Sequence, residues 1–360
     1  MKILTITLHS SQNPGSTLQA FALQHFLIRC GYEAEIIDYR PRYISAGKNK
    51  IRNIAGKVLF WDKYLKKKQK FNQFSKKYMR LTPEMYKNYR ELKSNPPEAE
   101  VYIAGSDQIW NCSYPCGNDK AYYLGFAENK IKMSYAASIG KKKIPQKELK
   151  WICDNIKDFS FISVREESSE YLLKSAGIKD VQYVCDPVLL VNKTKYEEMK
   201  INPQLKDYIA VYLVGRSKLL DKTISLLKKK YGCKVVLVGG FTKRCDCDVH
   251  IKDIGPCDFL GLISNAEFVV ASSFHATVFA HIFKKDFAVI LPEGNGARIE
   301  QFLQVTNLTD RIIRRESDIS KAIEKIDFTS HTERLNKFVD ESKKVFIKHL
   351  EDIDKQIQHI

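Results

Sequence analysis

The chain predicts an α/β protein built from two doubly wound units, and three observations carry that reading. Short apolar runs alternate with amphipathic stretches at helical spacing over most of its 360 residues. Several of those runs end in polar clusters that open a helix, as parallel strands do in βαβ units. The pattern breaks once, around residues 192–207 with Pro203 inside the break, and then begins again. These observations place a first domain at 1–191, a second at 192–330 and a C-terminal helix at 331–360, a bilobed fold with a cleft.

In order, Lys2–Leu8 reads as a strand, Thr17–Cys30 as a helix stopped by Gly31, and Glu33–Asp38 as a second strand. A basic helical insert at 48–93 follows. Val101–Ala104, Met133–Ala137, Phe161–Val164 and Val181–Val184 read as strands, with helices expected at Lys147–Ile156 and Glu167–Ala176. After the break come strands at Tyr208–Val214, Lys234–Val238, Glu267–Val270 and Phe287–Ile290. Helices at Leu219–Lys230, Pro256–Ser264 and His275–Phe283 separate them. From about Thr332 the tail is one long amphipathic helix.

Composition narrows the class. Hydrophobic residues are 44% and charged residues 28% of the chain, the balance of a soluble globular protein. No apolar run reaches the roughly 18 residues of a membrane span, and the first apolar stretch is too short for a signal peptide. Nine cysteines without a secretory signal are expected as free thiols in a reduced, cytoplasmic protein. Cys112/Cys116 and the Cys245, Cys247, His250, Cys257 group lack paired knuckle spacing, so no metal and no cofactor are expected.

The 59 basic and 42 acidic residues leave a net charge of +17, and the excess is uneven. Lys48 to Lys93 holds 15 basic residues against Asp62, Glu84 and Glu91, interleaved with Trp61, Tyr64, Leu65, Phe71 and Phe74. Such a segment suits an anionic membrane surface, with a plain solvated face as the competing reading. No nucleic-acid-binding module is present, so no nucleic acid is expected.

Three motifs carry chemistry. Asn13-Pro14-Gly15-Ser16-Thr17-Leu18-Gln19 lies where a dinucleotide fold places its glycine-rich turn but has one glycine. It therefore disfavours a dinucleotide, while Asn13, Gly15, Ser16 and Gln19 suit a polar sugar. Gly105-Ser106-Asp107-Gln108-Ile109-Trp110-Asn111 offers Asp107 as a base, Ser106, Gln108 and Asn111 as hydrogen-bonding groups, and Trp110 as a pyranose platform. Ser272-Ser273-Phe274-His275 puts an imidazole and free N–H groups at a helix N-terminus, an anion site with a proton donor. Arg165, directly after a strand, suits phosphate or carboxylate, with an ion pair to Glu166 or Glu167 as the plainer role.

These segments, with Ser134-Tyr135-Ala136-Ala137-Ser138-Ile139-Gly140, Ser163-Val164-Arg165-Glu166 and Cys185-Asp186-Pro187-Val188-Leu189-Leu190, form an ordered set. Over about 2–308 the set resembles the bacterial polysaccharide pyruvyl transferase family. The resemblance implies a glycosyltransferase-B-like pair of Rossmann-like domains, the first for the acceptor and the second for the donor. It implies transfer of a pyruvyl group from phosphoenolpyruvate to two hydroxyls of a surface-polysaccharide sugar, giving a ketal and phosphate. Such acceptors are often lipid-linked, which would place the enzyme peripherally on the inner face of the cytoplasmic membrane. The family histidine falls on His275 and its strand-end arginine on Arg165. Many members carry an arginine two positions before the histidine, where this chain has Ser273. Arg165, Arg298 or Arg216 would then supply the donor's counter-charge, beside Ser272 and Ser273. Two other classes remain open: a nucleotide-sugar-dependent glycosyltransferase of the same bilobed fold, and a non-enzymatic membrane- or polyanion-binding protein.

Overall fold

The computed structural model describes residues 1–46, 60–213, 218–292 and 296–358. Arg216 and the first part of the basic segment, 47–59, lie outside the described residues. The chain divides into two compact units. One comprises the described residues of Met1–Lys48, Ser75–Val191 and Asn336–Ile360. The other comprises those of Asn49–Phe74 and Asn192–Leu335.

The first unit is built on a parallel sheet of Lys2–Ile6 (β1), Glu33–Tyr39 (β2), Leu81–Tyr86 (β3), Val101–Ala104 (β4) and Ile131–Ser134 (β5), in the order β3-β2-β1-β4-β5. Ile3, Leu4, Thr5 and Ile6 on successive faces of β1 are all buried, because both sheet faces are covered. Helix Pro14–Arg29 starts where the Asn13 side chain accepts from the Gly15 N–H at 2.9 Å, with Pro14 in the first turn. It ends before Gly31, whose φ of 93° needs a residue without Cβ. Ile162–Val164 (β6) and Val181–Tyr183 (β7) pair in parallel and continue β5 through single bridges, Met133 to Phe161 and Ala137 to Val164. From Asn336 onward the terminal helix Phe328–Gln358 packs in this unit. There Phe346 is fully buried against Phe26, Tyr135 and Phe161, and the Ser342 hydroxyl oxygen accepts from the Cys185 N–H at 3.0 Å.

The second unit repeats the plan with Tyr208–Tyr212 (β8), Lys234–Val238 (β9), Val249–Ile251 (β10), Phe268–Ala271 (β11) and Asp286–Val289 (β12), all parallel, in the order β10-β9-β8-β11-β12.

The structure corrects the expected helical insert at 48–93. Helix Trp61–Tyr78 is real, but Leu81–Tyr86 is an edge strand, and residues up to Phe74 pack with the second unit instead of the first. Pro83 conceals β3 in the sequence; an edge strand tolerates proline because one side of its ladder is open. Its pairing with β2 shifts register between Ile36 and Asp38, where the Asp38 N–H donates to the Thr82 hydroxyl instead of a ladder carbonyl. Strand β10 and helix Ala297–Val305 also lay hidden, and the helix Lys193–Met199 occupies part of the break.

Candidate functional site

In an open α/β sheet, ligands bind at the carboxyl ends of strands where the strand order reverses. In the first unit that reversal lies between β1 and β4, and in the second between β8 and β11. The loop after β1 leads to Asn13–Gln19, the loop after β4 is Gly105–Asn111, and the turn after β11 is Ser272–His275. The three motifs singled out by residue type thus stand at the two positions that topology reserves for ligands.

The first unit's reversal point holds a buried charged network. Arg165, only 4% exposed, donates from Nη1 to Asp186 Oδ2 at 2.6 Å and to the Ser106 hydroxyl at 3.4 Å. Its Nη2 lies 3.8 Å from Asp107 Oδ1 and its Nε 3.6 Å from Glu166 Oε1. Burial alone would pull the guanidinium pKa down, but Asp186, Glu166 and Asp107 together hold it above the usual arginine range. Asp107 accepts from the Ser16 hydroxyl and, at 2.8 Å, from the Gln108 N–H. Glu166 accepts from the Ser138 hydroxyl and from the Ser169 hydroxyl at 2.8 Å.

Asp107 is held in an unusual conformation, φ 78°, that few side chains other than glycine adopt readily. Its carbonyl accepts from the Ser138 N–H at 3.0 Å, which fixes the turn. Gln108 and Asn111 lie against Gly140, with the Asn111 amide donating to Gln108 Oε1 at 2.8 Å. A Cβ at Gly140 would sit 2.6 Å from that oxygen, and its φ of 74° adds a second reason for glycine there.

Two expectations change here. Arg165 is not an open hook for a ligand anion, because three carboxylates of the protein already surround it in a site closed to solvent. Trp110 is no sugar platform: it is fully buried, stacked on Tyr123 at 5.9 Å and donating from Nε1 to the Tyr122 carbonyl at 3.1 Å. Its indole belongs to the core beneath the loop. Gln19 is likewise fully buried and ties the loop together by donating to the Thr7 hydroxyl and the Ser16 carbonyl. Asn13 serves as the helix cap.

Residue-type reading missed His9, Asp38 and Asp186. His9 Nε2 lies 3.1 Å from Asp38 Oδ1, and Arg40 Nε donates to the same oxygen at 2.5 Å. Burial would raise the Asp38 carboxyl pKa; the hydrogen bonds from His9 and Arg40 outweigh it and the value falls below the usual range. Asp186 carried a readable signal, since it lies three residues past the end of β7, near the same strand ends as Arg165 after β6.

The second unit's reversal point is sparser. Ser273 is the N-cap of helix Phe274–Ile282, and its side chain makes no capping bond. Its carbonyl accepts from the Thr277 N–H and hydroxyl at 3.1 and 3.0 Å. His275 stands in the first turn, 6% exposed, with its ring 5.2 Å from that of Phe274. The guanidinium carbon of Arg298 lies 6.0 Å from the Phe274 ring centroid, so a cation borders the motif. Ser272 is buried, with its N–H on the Tyr212 carbonyl at the end of β8. Arg244, which the sequence reading passed over, donates to the Leu213 carbonyl at 2.6 Å and brings a second guanidinium to the same end of the sheet.

Cysteines 245, 247 and 257 are free thiols, and among the described residues they form no metal-holding group with His250. No described helix is long and apolar enough to cross a membrane.

The architecture is of the glycosyltransferase-B-like class. A UDP-GlcNAc 2-epimerase from Neisseria meningitidis, in a structure bound to UDP-GlcNAc, aligns over 98% of this chain and 100% of its own at TM-score 0.55 and 14% identity. The Methanocaldococcus jannaschii UDP-GlcNAc 2-epimerase, in complex with UDP-GlcNAc and UDP, aligns over 94% and 93% at TM-score 0.52 and 13% identity. The Rickettsia bellii UDP-N-acetylglucosamine 2-epimerase aligns over 99% and 97% at TM-score 0.51 and 13% identity. At such identities these likenesses concern fold alone. No curated protein matches the sequence. The model of the polysaccharide pyruvyl transferase family matches residues 13–293, and the chain belongs to that family.

Proposed function

We propose that this transferase moves the pyruvyl group of phosphoenolpyruvate onto two hydroxyls of one sugar, forming a cyclic ketal. The observation that carries the reading is the division of chemistry between the two reversal points. One presents a helix N-terminus, an imidazole and nearby guanidinium groups; the other presents hydroxyls and a strained carboxylate. The first set suits a small anion that must be protonated, the second a polyol that must be deprotonated.

In this scheme the N–H groups at Ser273–His275, with Arg298 and Arg244, hold the donor's phosphate and carboxylate. His275 gives a proton to the methylene carbon of the enol, and the adjoining carbon becomes an oxocarbenium centre. A sugar hydroxyl attacks that carbon while Asp107, oriented by Ser16 and Gln108, takes its proton. The carbon–oxygen bond to phosphate then breaks. The second hydroxyl attacks the same carbon, and its proton leaves with the phosphate. Arg165 acts as a positioning residue, holding Asp107 and Asp186 in place.

The test is phosphate release from phosphoenolpyruvate across a panel of galactose-, mannose- and glucuronate-type acceptors, free and lipid-linked. Carbon NMR of the product should show a quaternary ketal carbon. Strong thermal stabilisation by a nucleoside diphosphate, with none by phosphoenolpyruvate and no ketal from any acceptor, would replace this reading with a nucleotide-sugar transferase.

A further inference from the structure

Helix Trp61–Tyr78 has two unlike sides. On one, Phe71 and Phe74 are buried, while Lys63 and Lys70 pair with Asp253 at 3.7 Å and Asp258 at 3.2 Å. Those contacts fasten Trp61–Phe74 within the second unit. On the other side Trp61 is 57% and Leu65 44% exposed, one helical turn apart. Lys68 lies on the same stripe a turn beyond Leu65, and Lys66 stands about 100° round the helix from Leu65, at the border with the packed side. Both lysines are exposed, and neither has a carboxylate in ion-pair reach among the described residues. Across the whole helix seven lysines face a single acid, Asp62.

A large apolar ring and a leucine held in water by a helix whose other aromatic side chains are buried or half-buried need a reason. An indole beside unpaired ammonium groups matches the interface of an anionic bilayer, where tryptophan settles at headgroup depth and lysines meet lipid phosphates. We infer that this outward face docks the protein on an anionic phospholipid surface, with Trp61 and Leu65 entering the interface and Lys66 and Lys68 binding headgroup phosphates. Charge complementarity selects that occupant. A second copy of this chain would bring the same lysines face to face, and a nucleic acid would leave Leu65 in water.

Flotation of the full chain with phosphatidylcholine vesicles, with and without phosphatidylglycerol, tests the assignment. Binding should require the anionic lipid and weaken as salt rises. Replacing Lys66 and Lys68 by alanine should lower the partition coefficient about fivefold per lysine. W61S/L65S should lower it about tenfold with the charge unchanged. Turnover on a water-soluble acceptor should be the same in all variants, which separates a failure of docking from a failure of the proposed reaction. Equal binding to neutral vesicles, no binding to either kind, or unaltered binding by the variants would overturn the inference. So would a change of oligomeric state in W61S/L65S by light scattering, or tighter binding to a polynucleotide than to anionic vesicles.

Discussion

The two sheet-reversal points occupy equivalent places in equivalent sheets yet are furnished in opposite ways. After β4, β6 and β7 the first unit gathers Asp107, Arg165, Glu166 and Asp186, one cation among three carboxylates, all buried. After β11 the second unit offers one imidazole, a helix end whose serine makes no side-chain capping bond, and an arginine over a phenylalanine ring. An arginine therefore does different work at the two ends. Arg165, held among three carboxylates of the protein, is part of the scaffold; Arg298 lies over the Phe274 ring beside a helix end.

The sharpest way to break this contrast is His275→Ala. Loss of the proposed proton donor should lower kcat about 10²–10⁴-fold without moving the unfolding midpoint. Unchanged turnover would remove the second unit's reversal point from the chemistry. The mirror experiment is Arg165→Met, which strands three buried carboxylates. It should cost more than about 3 kcal/mol of stability by chemical denaturation. A cost below about 1 kcal/mol would show that the network does not depend on its cation.

The helix that carries His275 in its first turn also carries His281, whose imidazole packs between the Phe302 and Phe328 rings. Burial, helped by the nearby charges of His331 and Lys284, pushes its pKa down to about 4. The folded value lies below the unfolded one, so unfolded chains bind the proton first as pH falls. Stability should be complete above about pH 6.5 and decline by about 3 kcal/mol on the way to pH 4. His281→Leu should flatten that part of the pH–stability curve; an unchanged slope would assign it to other groups. The smallest effect is expected from Ser16→Ala, which removes one hydroxyl from Asp107. It should lower kcat/KM for the acceptor about tenfold and leave the phosphoenolpyruvate KM alone. If the donor KM moves instead, the division of labour between the two units is wrong.

Much of this could be read before any coordinates. Strand β1 announces itself because a strand covered on both faces is mainly apolar, as Ile3, Leu4 and Ile6 are, and Asn13-Pro14 marks the helix that follows by capping chemistry alone. His275 was legible because a strand, two serines and an apolar helix are local signals. Strand β3 was not, since Pro83 argues against a strand unless one knows that it lies at an edge. Nor was the fate of Trp110: the same indole suits a sugar or a core, and only the packing of Tyr123 and Phe159 around it decides.

What residue order determined by itself was the succession of strands, helices and polar turns, because periodicity, capping and turn chemistry act over a few residues. Tertiary structure alone decided which charges meet. Arg165 lies 58 residues from Asp107 and 21 from Asp186, and electrostatic energy depends on distance through space, to which separation along the chain is no guide.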